Sequence, residues 1–312
     1  MPVVITNCTN RKRGIIADVL SAISLDQGSI DAVAKQWIDR LRNAPANKIA
    51  RDVYCGRSFR EAEASALALN ASLYIVSAGL GIVESNRRVP NYNLTVTSGS
   101  SNTISNRIIA ATTPQSWWSL ISQGTPFGIS FLDILSKYPE DIVLIALSRP
   151  YVELIREELL QVTPEQSARL RFFGKNLEQF LPASLARSWM PYDDRLDYAG
   201  KGYSGTQTDL AQRALRHFVR EVLLNGHNNA CSTTHRSLVL ASLANLRVRE
   251  TPKRMRLDDE GIGAAIRNNW VRGKGQSSEL LRILRRDLGI ACEQSRFQLI
   301  YHTVKNAIGA PK

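Results

Sequence analysis

Residues 50–59, ARDVYCGRSF, crowd a carboxylate (Asp52), a phenol (Tyr54), a thiol (Cys55) and two guanidinium groups (Arg51, Arg57) into one short stretch. A carboxylate in such company can orient a water molecule or offset positive charge that develops on a reacting carbon. Gly56 argues against one regular helix through the stretch. Two further polar clusters, TNCTNRKR at 6–13 and SAGLGIVESNRRVPNY at 77–92, each follow a short apolar run. The first offers an amide (Asn7), a thiol (Cys8) and a hydroxyl (Thr9) in succession. Each group also has a structural alternative: an ion pair of Asp52 with Arg51 or Arg57, a turn-capping amide at Asn7, and core packing for Tyr54 and Phe59.

Other chemistries are poorly supplied. The cysteines at 8, 55, 231 and 292 form no C-x-x-C pair and have no histidine at a metal-ligand spacing, so separate reduced thiols are expected. A thiol nucleophile at Cys8 or Cys55 needs a neighbouring base. All four histidines, at 217, 227, 235 and 302, lie in the last third of the chain. No P-loop, G-x-G-x-x-G, H-E-x-x-H or deaminase zinc signature occurs, and neither a metal nor a cofactor is expected.

The elements that must position these groups follow from hydrophobic periodicity. Apolar runs at 2–6, 72–79, 141–148 and 169–173 predict buried strands, and helical segments are expected at 15–25, 30–43, 60–69, 104–112, 114–122 and 151–160. The Ser-, Asn- and Thr-rich residues 85–106 predict a surface excursion, and Trp117-Trp118 predict core or edge packing. Alternation of nearly continuous apolar strands with helices predicts an α/β fold: a three-layer, parallel-sheet domain over 1–185. Ligands in such sheets bind outside the carboxyl ends of the strands, so 6–13, 77–84 and 148–151 are expected to converge on one rim with the 50–59 cluster. Residues 186–205 read as a linker or lid. Residues 206–312 read as a helical basic region, opening on a Thr206 or Thr208 cap, with a further helix at 232–246. Near the end, SSELLRILRRDLG followed by IACEQSRFQLIYHTVKNA predicts a helix-turn-helix-like unit.

The chain has 312 residues, 44% hydrophobic and 22% charged, which is the profile of a globular protein. No apolar run of about 18 residues predicts a membrane span, and MPVVITNCTN is too short and polar for a signal peptide. A cytoplasmic protein is expected. The net charge of +12 favours a polyanionic partner, with double-stranded DNA the first candidate. Basic residues recur from Arg247 through Arg249, Lys253 and Arg254 to Arg286. No membrane association and no obligate protein partner is indicated.

TNCTNRKR, ARDVYCGRSF and YIVSAGLGIVESNRRVPNYNLTV together resemble, over roughly residues 1–96, a bacterial family of poorly characterised proteins. That family has a Cys-containing turn after its first strand, an Ala-Arg-Asp-Leu-Tyr-like segment and a Ser-Ala-x-x-Gly-Leu turn. It looks related to the uracil-DNA glycosylase fold and to the archaeosine-synthesis lysine transferases. Members with a DNA-binding tail resemble phage-defence DNA glycosylases that remove hypermodified cytosines. Arg149, in SRPY, stands where those enzymes carry a His-containing loop.

The resemblance implies excision of a flipped, modified base to leave an abasic site, as part of anti-phage defence. In that chemistry Asp52 and Asn7 would be catalytic, with Asp52 facing the sugar or its attacking water. Substrate would be held by Cys8, Thr9, Arg51, Tyr54, Arg57, Phe59, Ser77, Tyr92 and Asn93. DNA would meet Lys12, Arg13, Arg149, His235, Arg236, Arg272, Lys274, Arg282, Arg285 and Arg296. The alternatives are a non-catalytic protein that recognises modified DNA and a tRNA- or nucleoside-base-modifying transferase.

Overall fold

The computed structural model describes residues 1–97, 99–248 and 254–309. Arg249 and Lys253 lie outside them. The chain divides into two compact units, Met1–Val248 and Arg249–Lys312.

The first unit is built on a five-stranded sheet. Its strands are β1 (Val3–Asn7), β2 (Ser72–Ser77), β3 (Gly81–Glu84), β4 (Val143–Ala146) and β5 (Leu170–Phe173). Their order is β3-β2-β1-β4-β5, and only the β2–β3 pair is antiparallel. β1 is central: Val3 pairs with Ser72 on one side and Val143 on the other. Val3, Val4, Ile5 and Thr6 are completely buried. Successive side chains of a strand point to opposite faces, so both faces of β1 are covered. This is why its sequence is an unbroken apolar run rather than an alternating one.

The main helices are α1 (Ile30–Asn43), α2 (Arg57–Ala68), α3 (Pro114–Gly124), α4 (Arg149–Leu154), α5 (Leu210–Phe218) and α6 (Ser232–Leu243). α2 packs on β1 and β2 and against α5, which itself crosses β4 and β5. α3 packs on α1, β3 and α4. The Ser29 hydroxyl caps α1 by accepting from Ala32 N, and Val33, Ala34, Trp37 and Leu41 form its buried stripe. Such spacing is what made α1 readable.

Several expected elements differ. Residues 15–25 form two short 3₁₀ turns, Asp18–Leu20 and Ala22–Ser24, because Asn93 claims their backbone: Ala22 N donates to Asn93 O and Asn93 N to Leu20 O. Residues 104–112 hold only one 3₁₀ turn, Ile104–Arg107. The SAGLG segment makes the tight return from β2 into β3, with Gly81 at φ +82°. A Cβ on Gly79 would press on Tyr92 and Trp37, so these glycines serve close packing.

The division also differs from a boundary at 186–205. α5 lies against the sheet and α6 packs with the chain that follows α5, so residues up to 248 share the first core. Thr206 does form a capping box with Asp209.

The second unit contains α7 (Asp259–Asn268), α8 (Ser277–Arg282), its π-helical continuation Ile283–Asp287, and α9 (Gln294–Gly309). A parallel two-stranded pair joins Met255–Arg256 to Ile290–Ala291. Ile262, Ile266, Leu280, Leu284, Phe297 and Tyr301 form its own core. Gly289, at φ +62°, makes the turn between the last two helices, so the expected order of helix, glycine turn and helix is present. Among the described residues no helix is long and apolar enough to cross a membrane.

Candidate functional site

β1 and β4 are neighbours, yet the chain leaves β1 toward β2 and leaves β4 toward β5, on opposite sides. Parallel α/β sheets open a crevice at such a switch point. A cleft of about 390 Å³ lies there. The loop after β1 supplies Asn7, Cys8, Thr9 and Asn10, and the loop after β4 supplies Ser148, Pro150 and Tyr151. Ser58, at the start of α2, and Thr97 add hydroxyls, and Gln207 and Thr208 close the wall before α5. Apart from the Pro150 ring, the lining is amide, hydroxyl, phenol and thiol. Among the described residues no carboxylate, lysine or arginine contributes to it.

Asn7 is held at three points. Its Oδ1 accepts from Ser148 N (3.1 Å) and from Gln212 Nε2 (3.2 Å), and its Nδ2 donates to Cys8 O (2.9 Å). Gln212, almost fully buried on α5, also donates to Thr6 Oγ1 (3.2 Å) and Ala146 O (3.0 Å). One side chain therefore ties the ends of β1 and β4 together. Asn7 acts as the strand-end amide of the structural alternative, and only part of its surface remains for a ligand.

Behind the cleft lies a set of buried hydroxyls. The Cys8 thiol and Tyr151 phenol share a hydrogen bond of 3.0 Å. Tyr54 and Tyr92 share one of 3.0 Å, and Tyr92 and Ser77 one of 2.5 Å. Burial raises the pKa values of Tyr54, Tyr92 and Tyr151, so all three stay neutral phenols. The Lys12 ammonium is turned inward, 4.5 Å from the centre of the Tyr92 ring, and burial lowers its pKa. It is a cation–π partner of the core rather than a phosphate contact.

The expected site residues separate into distinct places. Cys8 and Thr9 line the cleft with Asn7. Tyr54, Phe59, Ser77 and Tyr92 are buried beneath it, so none presents a face for stacking on a base. Tyr54 and Phe59 pack together at 5.6 Å, which is the core alternative. Asn93 serves through its backbone.

Asp52 is exposed and lines a different cleft, of about 410 Å³, with Arg13, Lys48 and Arg88. The expected single rim is thus not formed: 7–10 and 148–151 line the cleft, whereas 51–57 contribute no lining and touch it through Cys55 O, which accepts from Thr9 Oγ1 (2.9 Å). The reason is local. Arg13 N donates to Val53 O and Cys55 N to Arg11 O, which stitches the short helix Ala50–Val53 to the far end of the loop after β1.

The arginines also differ from expectation. Arg51 is exposed. Arg57 donates to Ser204 O (2.5 Å) and Gly202 O (2.6 Å) and pairs with Glu61, so it straps the 202–204 segment. Arg149 pairs with Glu153 at 2.8 Å and lies over Phe180. His235 is fully buried: Arg171 Nε donates to its Nδ1 (2.8 Å), and its Nε2 donates to His227 O (2.7 Å). Arg236 donates to Trp189 O (2.6 Å).

In the second unit Arg272 pairs with Asp287, Arg282 with Glu279 and Asp287, and Arg296 with Asp259. Arg285 donates to Cys292 O, and Lys274 is exposed in a left-handed turn.

Sequence reasoning missed Gln212, Gln207, Ser58 and Thr97, whose places depend on long-range packing. Tyr151 and Ser148 carry a local signal, the polar SRPY turn that ends an apolar strand, although the residue expected to act there is Arg149. All four cysteines are free thiols, and no group of three or more His, Cys, Asp or Glu suited to a metal occurs among the described residues. No family model, curated protein or solved structure matches this chain.

Proposed function

We propose that the cleft between β1 and β4 binds a nucleobase, and that the protein is a DNA glycosylase which excises a modified base in anti-phage defence. One observation supports this reading most: the cleft at the sheet's switch point is walled by neutral amides and hydroxyls and is large enough for one small ligand. Such a wall suits an uncharged ring edged with donors and acceptors. The resemblance of the three N-terminal motifs and the net charge of +12 support DNA as the substrate. Four free thiols agree with a reducing, cytoplasmic setting.

In this reading Asp52 has no part in the chemistry. Asn7, fixed by Ser148 and Gln212, sets the positions of Cys8 and Thr9 in the wall. The lack of a lining carboxylate favours a second reading, recognition of a modified base without cleavage. The Cys8 thiol in the wall favours a third, transfer chemistry on a base.

Incubation of the protein with plain and hypermodified duplex DNA, followed by assay for abasic sites, tests the proposal. Abasic sites in the modified duplex alone are the expected result. Tight retention of modified DNA without abasic sites would establish the second reading, and preference for RNA in competition would establish the third.

A further inference from the structure

The second cleft carries a further assignment. Segments 11–13, 47–54 and 85–91 are gathered by backbone bonds: Arg13 N to Val53 O (2.8 Å), Ala50 N to Arg87 O (2.8 Å), and the antiparallel pairing of Lys48–Ile49 with Arg88–Val89. The buried Asn91 amide fixes the loop by donating to Arg13 O and Ile15 O, both at 3.0 Å. This framework places Arg13, Lys48 and Arg88 around one cleft, and the same segments carry Arg11, Arg51 and Arg87, the last donating to Pro126 O (2.7 Å); all six are exposed. Among the described residues none forms an ion pair within 4 Å, and Asp52 is the single carboxylate in the cleft. The backbone bonds that assemble the cluster do not depend on charge, so in the free protein the cations repel one another. A polyanion relieves that repulsion.

We propose that this cluster is the docking surface for the phosphodiester backbone of DNA. The assignment rests on the nucleobase reading of the neighbouring cleft. Thr9 lines the neutral cleft and Arg13 the charged one. They are four positions apart in the chain, a span of at most about 14 Å. A strand lying across the loop therefore sets charged backbone on one side while a base reaches the other. Nucleic acid is the polymer whose repeating unit carries both a phosphate and a neutral, hydrogen-bonding ring, whereas an acidic peptide has nothing to place in the neutral cleft. Five of the six cations are arginine, whose planar fork matches phosphate oxygens.

The test measures binding of a fluorescent duplex DNA to the full chain across a salt series. For the combined Arg13→Ala, Lys48→Ala and Arg88→Ala variant, the slope of log K against log salt should become shallower by about 3, since each lost phosphate contact removes about 0.9. The Arg13→Lys, Arg88→Lys variant keeps the charge and should keep the slope. These side chains are exposed, so an unchanged melting curve is expected to accompany the altered slope. A folded triple-alanine variant with the wild-type slope would overturn the assignment, as would tighter binding of the matching RNA. If no abasic sites form while the slope still changes, excision fails and the docking surface stands.

Discussion

Two clefts of nearly equal volume, about 390 and 410 Å³, flank one loop and differ in almost every other respect. The first, at the ends of β1 and β4, is lined by neutral groups, of which Asn7, Cys8 and Tyr151 are fixed by buried or half-buried hydrogen bonds. The second, formed by 13–14, 47–49, Asp52 and Arg88, presents three cations on a backbone framework and leaves their side chains exposed. Neutral donors and acceptors discriminate by geometry and must be held still, whereas charges act over several ångströms and tolerate motion. Separating the two tasks lets each have the environment it needs. The second unit offers a further contrast: four of its five expected DNA contacts, Arg272, Arg282, Arg285 and Arg296, are engaged by its own carboxylates or carbonyls.

The contrast breaks most severely at Arg213. It is buried, with hydrogen bonds to Asp209 (2.8 Å), Asp197 (2.8 Å), Thr206 O (2.7 Å) and Tyr203 O, and so holds the segment that brings Gln207 and Thr208 to the neutral cleft. Arg213→Ala removes the buried guanidinium from Asp209 and Asp197, and breaking a buried pair costs about 3–5 kcal/mol. The melting temperature should fall by roughly 10 °C, and abasic-site formation should fall with it. A melting curve within a degree of wild type would show that the wall is held by other means.

Gln212→Ala comes next. It leaves Thr6, Asn7 and Ala146 O without their shared donor, at a cost of about 1–3 kcal/mol. Excision per folded molecule should drop while the salt dependence of DNA binding is unchanged. A shifted salt slope would mean that the two clefts are coupled.

Acid should weaken the first unit. Burial lowers the pKa values of His217 and His235 from the ordinary 6.5. His217 meets the Tyr192 hydroxyl at 2.9 Å, and His235 accepts from Arg171, which only the neutral ring can do. Below about pH 6.5 the unfolded chain binds protons that the folded one refuses, so stability declines as pH falls. Melting curves from pH 8 to 5.5 should show little change above 7 and a steady loss below 6.5. A flat profile across that range would contradict the buried-neutral assignment.

The smallest effect is expected at Asp52. Exposed and opposed by cations, it can be changed to asparagine with a stability shift within about 0.5 kcal/mol. Asp52→Asn should retain excision and bind DNA slightly more tightly, because a like charge leaves the phosphate surface. Loss of excision in a normally folded Asp52→Asn protein would return the catalytic role to this carboxylate.

The sequence by itself determined four of the five sheet strands and the helices beside them, but not the antiparallel edge strand Gly81–Glu84, which lies inside an expected polar turn. PVVIT, SLYIVS and DIVLIA are apolar runs too continuous for a half-exposed strand, and the Trp37 stripe of α1 has helical period; such patterns depend on neighbours in the chain. It also marked 7–9 and 148–151 as strand-end groups, since a polar residue ending an apolar run is a local signal. Tertiary structure alone decided the rest. Gln212 reaches Asn7 across more than 200 residues, and nothing near position 212 reports it. Asp52 left the site because loop 8–14 pairs with 53–55, a backbone choice that side-chain chemistry does not encode. The phenols of Tyr54 and Tyr92 passed into the core because a hydroxyl that finds a partner can be buried without penalty. Whether Lys12 turned inward or stayed outside could be known only once those two rings were in place.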